Sequence, residues 1–291
     1  MTRVDFLSLQ RAPEAPLDRF VESLWFARGR IPYRRELIAP TGSSVFAVNF
    51  GPPIRQTPYG SSEPTVAVRG FLLGPHDRPV VNEPTAETCT AVVVLRPAAC
   101  AAVLGVAPAP LRGRAVELDE HWPHAAATRR RLHRLLDDPQ ALLAGLEDAL
   151  TEHLDPDVPG LERCEHAVAL LEADPARTVA DVADDVGWSH AHLVRRFTQV
   201  VGIAPRSLGA ITRTRRLLAD LDVFTDPPWG ELATRHGWYD QSHLIRDFKR
   251  HTGVTPSAYV RAQRRHFGPG EVEPGFVPEA DGDQIRPRQR V

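Results

Sequence analysis

Between residues 1 and 96 the apolar positions recur mostly every second residue, which is the period of a half-buried β-strand. The stretch "SSVFAVNFG" places Phe46, Val48 and Phe50 on one face, and "TVAVRGFLLGP" and "CTAVVVLRP" are short β-branched runs stopped by Gly or Pro. Turn punctuation such as "PTG" and "GPP" fits an antiparallel sheet or barrel. From Pro97 the period becomes helical. "PAACAAVLGV" predicts a helix with Pro97 at its first position and Gly105 just past its end. Two more helices are expected over about 124–136 and about 139–153. "LDPDVPG", residues 154–160, reads as a linker. Helical periodicity then runs to Gln263, and the polar, Pro/Gly-rich "GPGEVEPGFVPEADGDQIRPRQRV" is expected to be disordered. The predicted fold class is therefore α+β and multidomain. Residues 1–155 form an antiparallel, barrel-like β-rich domain with helices at its end, 160–266 an all-α domain, and 267–291 a disordered tail.

The helical half carries one pattern twice, as "DVADDVGWSHAHLVRRF" (181–197) and "ELATRHGWYDQSHLIRDF" (231–248). In the first copy Thr178 can cap a helix, with Asp181 three residues on. Val179, Val182, Ala183 and Val186 then share a face. Gly187 permits a stop and a sharp turn, and Ser189 caps a second helix. On that helix Leu193 and Phe197 lie four apart on one side. Gly202 ends it, Ile203 packs back, and Pro205 opens the next helix. Trp229, Leu232, Ala233 and Gly237 repeat the first helix and turn fifty residues later. Leu244, Phe248, Gly253 and Pro256 follow their counterparts by fifty-one, so one residue is added after the turn. Two copies are too few for a stacked array. They read as two helix-turn-helix units. "PRSLGAITRTRRLLADL" (205–221) joins them, with Leu208, Ile211, Leu217, Leu218 and Leu221 expected to bury against both. A helix of that length spans roughly 25 Å.

The net charge of −2 hides a local imbalance: residues 189–265 hold 13 Lys and Arg against 6 Asp and Glu. A basic region inside a near-neutral chain fits a nucleic-acid surface and equally an ordinary arginine-rich solvated one, so charge alone does not decide. With Leu193 and Phe197 set inward, Ala191, Arg195, Thr198 and Gln199 point away, as do Ser242, Arg246, Lys249 and Arg250 in the second copy. Such helices fit a DNA major groove, where Arg can bond a guanine edge with two hydrogen bonds and Gln241 can read adenine. Lys249 and Arg250 suit phosphates, which add affinity without sequence information.

Catalytic and metal signatures are missing. There is no GxSxG, no GxxxxGK[ST] and no strand-linked GxGxxG. Residues 1–118 contain one histidine, His76, where a metal-dependent barrel needs clustered ligands. His190 and His192 face different ways on a helix, Cys164 and His166 fail similarly, and His121 and His124 flank "WP" in an exposed-looking turn. Cys89, Cys100 and Cys164 lack CxxC spacing and read as reduced, small core residues. The chain is therefore expected to be no enzyme and to need no cofactor or metal. No apolar run is long enough for a bilayer and the N-terminus does not read as a signal peptide, so a cytoplasmic location without membrane contact is expected.

Residues 161–263 resemble the DNA-binding domain of the AraC/XylS family of transcription regulators. The stretches that carry this are "VADVADDVGWSHAHLVRRFTQVVGIAP", "RTRRLLADL" and "ELATRHGWYDQSHLIRDFKRHTGVTPSAYV". The resemblance implies two helix-turn-helix units on a linker helix and binding of one or two copies to double-stranded promoter DNA. In many members it also implies activation through RNA polymerase contacts. Matching the family's base-contacting positions gives Ala191, Val194 and Arg195 in one unit and Gln241, Ser242 and Arg246 in the other. His190, Thr198, Lys249 and Arg250 complete the candidate DNA-binding set. His236 stands where an apolar residue precedes the turn glycine, and Leu217 where the linker helix usually has alanine. More loosely, "RELIAPTGSSVFAVNFG", "RGFLLGP" and "VVVLRPAACAAVLGVAPAPLRGRAVELDEHW" resemble the family's β-rich sensor domains. That implies a small-molecule effector pocket or partner surface, and a homodimer contact, in residues 1–155. Trp25, Phe46, Asn49 and Phe50 are candidates for a pocket, with core packing as the expected role. The function implied is a sequence-specific, DNA-binding transcriptional regulator. The alternative is a protein-interaction module, or a thiol or ligand sensor, with only non-specific DNA affinity.

Overall fold

The computed structural model describes residues 6–31, 33–61, 63–84, 87–270 and 274–279. The first half runs β1 (Phe6–Arg11), β2 (Val21–Gly29), β3 (Glu36–Ile38), β4 (Val45–Asn49), β5 (Ile54–Pro58) and β6 (Thr65–Ala67). It continues with β7 (Gly70–Leu73), β8 (Val80–Glu83), β9 (Thr88–Leu95), α1 (Cys100–Leu104), β10 (Ala115–Glu117), α2 (Ala125–His133) and α3 (Pro139–Glu152). The helical half holds α4 (Leu161–Ala173), α5 (Val179–Asp185), α6 (His190–Val201), α7 (Pro205–Asp220), α8 (Trp229–Arg235), α9 (Gln241–Thr252) and α10 (Pro256–His266). A last strand, β11 (Phe276–Pro278), follows.

The strands form two antiparallel sheets, ordered β1-β2-β9-β4-β7-β10 and β11-β3-β8-β5-β6. Alternation along a strand decides what each face meets. On β4, Phe46 and Val48 enter the main core with Ala91 and Val93. Ala47, between them, joins Phe71, Leu73, Val80 and Ala115 in the smaller core between the sheets. The barrel expected from the sequence does not close. The sheets meet where the Thr65 hydroxyl donates to the Ala115 carbonyl at 2.8 Å. At their other ends β1 pairs with β2 and β11 with β3, so the two edges stay apart.

Helix α1 begins at Cys100 rather than Pro97, because Ala98 adopts φ +76° and breaks the helical path. Gly105 ends it in the left-handed conformation, as expected. Phe46 is fully buried and packs on Trp122, which is itself core rather than part of an exposed turn. The Asn49 amide donates to the carbonyls of Gly51, Pro52 and Val68. Phe46 and Asn49 are thus buried and packed, the role expected of them.

The main core runs without a break from β2, β4 and β9 through α1, α3 and α4 into the first helix-turn-helix unit, ending at Leu208 and Ile211 of α7. The second unit builds its own core, and Leu37, Ala39 and Val277 complete it from outside the unit. Residues 154–160 connect two packed parts: Asp155 N–H donates to the Ala102 carbonyl and the Arg196 guanidinium to that of Pro159.

The tail also departs from expectation. Phe276 and Val277 pair with Ile38 and Leu37 of β3, and Val277 is buried. The Gly275 amide donates to the Tyr259 hydroxyl at 3.1 Å. An apolar pair in a polar tail finds the free edge of β3 and covers it. Residues 271–273 and 280–291 of the expected disordered tail lie outside the described residues. Among the described residues no helix is long and apolar enough to cross a membrane.

Candidate nucleic-acid interface

The two units repeat each other at the turn and at the cap of the second helix, whereas the first helix has a side-chain cap only in the first unit. Thr178 caps α5 by accepting from the Asp181 amide, and Ser189 caps α6 by accepting from His192. Asp240 does the same for α9 through His243. Gly187 and Gly237 take φ +68° and +78°, a conformation that only glycine adopts without strain. After each turn a tryptophan amide reaches back, Trp188 to the Ala183 carbonyl and Trp238 to that of Ala233. The inserted residue is Tyr239. It sits between buried Trp238 and the cap Asp240, and its side chain is 94 % exposed. The count of fifty against fifty-one reveals an insertion, but only the structure shows which side chain it turns outward.

Helix α7 is the beam between the units. Leu208 and Ile211 bury in the main core, Leu217, Leu218 and Leu221 in the second unit's core. Its 16 residues correspond to about 24 Å of helix.

On α6, Leu193 and Phe197 are buried, His190, Ala191 and Arg195 are exposed, and Val194 and Thr198 are half-buried. On α9, Leu244 and Phe248 are buried, while Gln241, Ser242, Arg246, Lys249 and Arg250 are exposed. All ten candidates thus lie on, or at the margin of, the outward faces of the two second helices. Arg195 has a local partner, His192 Nδ1 at 3.2 Å. Arg250 has a distant one: its Nη2 donates to Asp77 Oδ2 at 2.5 Å, 173 residues away in sequence.

Asp77 belongs to the segment Gly74–Pro79, which touches both units. Pro75 lies against Gly202 at the end of α6, and Pro79 with Leu37 against Gly253 at the end of α9. A second ion pair, Arg215 with Glu22 at 2.6 Å, fixes α7 to β2.

Two histidines of the second unit are His251, on the buried side of α9, and His236, at the end of α8. His251 is 2 % exposed and shares a 2.7 Å hydrogen bond with the Thr214 hydroxyl of α7. Burial pushes it down to about 4, against the pull of Asp247. Burial also lowers His236, although Asp220 lies 3.4 Å from it. Both are therefore neutral packing residues at neutral pH. Cys100 and Cys164 are buried, and burial pushes both thiols up to about 11. Half-buried Cys89 is also raised, so none of the three is poised as a thiolate.

Residues 187–262 match the family described as "Helix-turn-helix domain", and residues 9–117 one described as "Domain of unknown function (DUF6597)". Uncharacterized HTH-type transcriptional regulators of Staphylococcus aureus, such as that of strain N315, are 29% identical over 82 residues. That is 28% of this chain and 11% of theirs, so the chain spans about a ninth of those relatives. ToxT from Vibrio cholerae superposes over 88% of this chain and 97% of its own, with a TM-score of 0.46 and 10% identity. An AraC-type regulator from Chromobacterium violaceum covers 37% of this chain and 96% of its own, at 0.33 and 28% identity. The repeated geometry and the match over residues 187–262 agree: the C-terminal part of this chain carries a helix-turn-helix domain.

Proposed function

We propose that the chain is a sequence-specific, DNA-binding transcriptional regulator that lays α6 and α9 in successive major grooves of promoter DNA. One observation carries this reading. Two helices with the same caps, turns and buried faces present Arg195 and Arg246 outward from the same repeat position, on a single rigid beam. Arg246 and Gln241 are the base readers of the second unit. Arg195 is the reader of the first, where Ala191 and Val194 offer apolar contact to thymine methyl groups. Lys249 and Arg250 bind phosphate, and Tyr239 lies against the sugar–phosphate chain beside the start of α9. The β-rich half modulates this binding through an effector, since its core continues into the first unit and its loops touch both reading helices. Contact with RNA polymerase and pairing of two copies belong to the same proposal.

Selection from random duplexes with the full chain tests it, and a recovered site should contain two boxes about one helical turn apart. On that site Arg246→Ala should weaken binding by about 1–3 kcal/mol and relax the preference at one base pair. Unchanged affinity and preference would show that α9 does not read bases. Tyr239→Ala should weaken binding only a few-fold and evenly across sequences, as loss of a backbone contact does; competition assays between sites would show it.

A further inference from the structure

Beside the contact between Asp77 and Arg250 lies a cleft of about 200 Å³, lined among others by Tyr59, His76, Asp77, Arg78 and Arg112. Its walls are fixed to the protein body. Gly74 N–H donates to the Arg114 carbonyl, Gly113 N–H to that of Pro75, and Tyr59 N–H to that of Pro79. Arg78 is exposed, and Arg112 lies 3.6 Å from Asp77 Oδ2, the same oxygen that accepts from Arg250. The two arginines give the cleft a positive side.

His76 supplies the second half of the chemistry. It is 4 % exposed, and its Nδ1 lies 3.0 Å from the Gly74 carbonyl. A carbonyl only accepts, so Nδ1 carries the proton and Nε2 is left as an acceptor. Burial lowers the histidine's pKa and keeps it neutral. Nε2 has no hydrogen-bond partner among the described residues. Buried acceptors are normally paired, and His76 is one of the residues that line the cleft, so its buried, unpaired acceptor points to a donor supplied by a bound molecule.

We infer that this cleft binds a compact oxyanion that also carries a hydroxyl group, such as a hydroxy acid or a monohydrogen phosphate. Its anionic oxygens take Arg112 and Arg78, and its hydroxyl donates to His76 Nε2. The proposal deepens the regulator reading by giving the effector a place and a chemical class. Occupancy also has a direction. Asp77 is shared between Arg112 and Arg250. An anion that takes Arg112 leaves Asp77 wholly to Arg250, and a held Arg250 is withdrawn from DNA phosphate. DNA and anion therefore oppose each other, and linkage requires the opposition to be mutual.

The experiment uses the full chain with lactate, inorganic phosphate and acetate in separate arms, chloride being adjusted to hold ionic strength constant. Thermal unfolding without DNA is read first. Lactate and phosphate should raise the midpoint, acetate, which has no hydroxyl, should do so less, and Arg112→Gln should remove the difference. The lactate and phosphate arms separate the two sources of the anion. Equal responses of the wild type and Arg112→Gln, or no response to either anion, would overturn the site. Affinity for the selected duplex is read second. The stabilising anion should weaken it on the order of 5-fold or more, and Asp77→Asn should abolish that effect. Stabilisation with unchanged DNA affinity keeps the site and overturns the coupling. If the wild type binds no duplex at all, the regulator reading fails, and the thermal arm still decides the site.

Discussion

Phe248→Ala is expected to lower stability by about 3–5 kcal/mol and to abolish DNA binding by the second unit. Phe248 is 0 % exposed and central to a small core. Its ring meets Tyr259 edge-on at 5.4 Å and Trp229 at 6.1 Å, so truncation empties a site that helices α8, α9 and α10 all share. Edge-to-face contacts add to the loss beyond the area removed. The damage should be local. Phe248 belongs to a core separate from the one that unites the sheets with the first unit. Hydrogen exchange on the variant should show protection lost over α8–α10, β3 and β11, and kept over β2 and β9. Phe197→Ala, its counterpart in the first unit, sits in the large core and should loosen the β-rich half as well. Uniform loss of protection in both variants would show that the two cores unfold as one.

Acid should destabilise the protein through His251. Its value falls from 6.5 in the unfolded chain to about 4 in the folded one, mainly through burial. The unfolded state then binds the proton first, so the stabilisation is complete above about pH 6.5 and is lost as the pH falls toward about 4. That interval corresponds to about 3 kcal/mol. His76, His236 and His266 are lowered too and act in the same sense. The variant His251→Asn isolates the one contribution. It should be less stable than the wild type at pH 7.5, where it leaves Thr214 imperfectly partnered, yet lose less between pH 7 and pH 5 in urea titrations. Parallel pH profiles for the two proteins would show that His251 does not carry the effect.

Much of this arrangement was legible in the sequence because it is local. Leu193 and Phe197 sit one helical turn apart, and Gly187 and Gly237 mark the turns. Ser189 and Thr178 are caps that act within three residues. The same holds for Leu208, Ile211, Leu217 and Leu218, whose burial follows from one helix having two neighbours. What stayed hidden is long-range. Nothing near Arg250 announces Asp77, and nothing near Phe248 announces that Leu37 helps to enclose it. The failure to close a barrel depends on which edges find partners, a property of the whole sheet. The tail misled for a physical reason: a three-residue strand has too little periodicity to stand out among Gly and Pro, and its existence depends on an edge more than two hundred residues away.

That strand gives the molecule an order of assembly. A nascent chain has made the β3 edge long before residue 276 exists, and domains generally fold as the chain emerges. The sheets and first unit can mature during synthesis, while the second unit stays incomplete until Val277 leaves the ribosome. The second unit is thus completed after the sheets' other strands and the first unit, and a chain interrupted before residue 276 would lack the strand that closes its core.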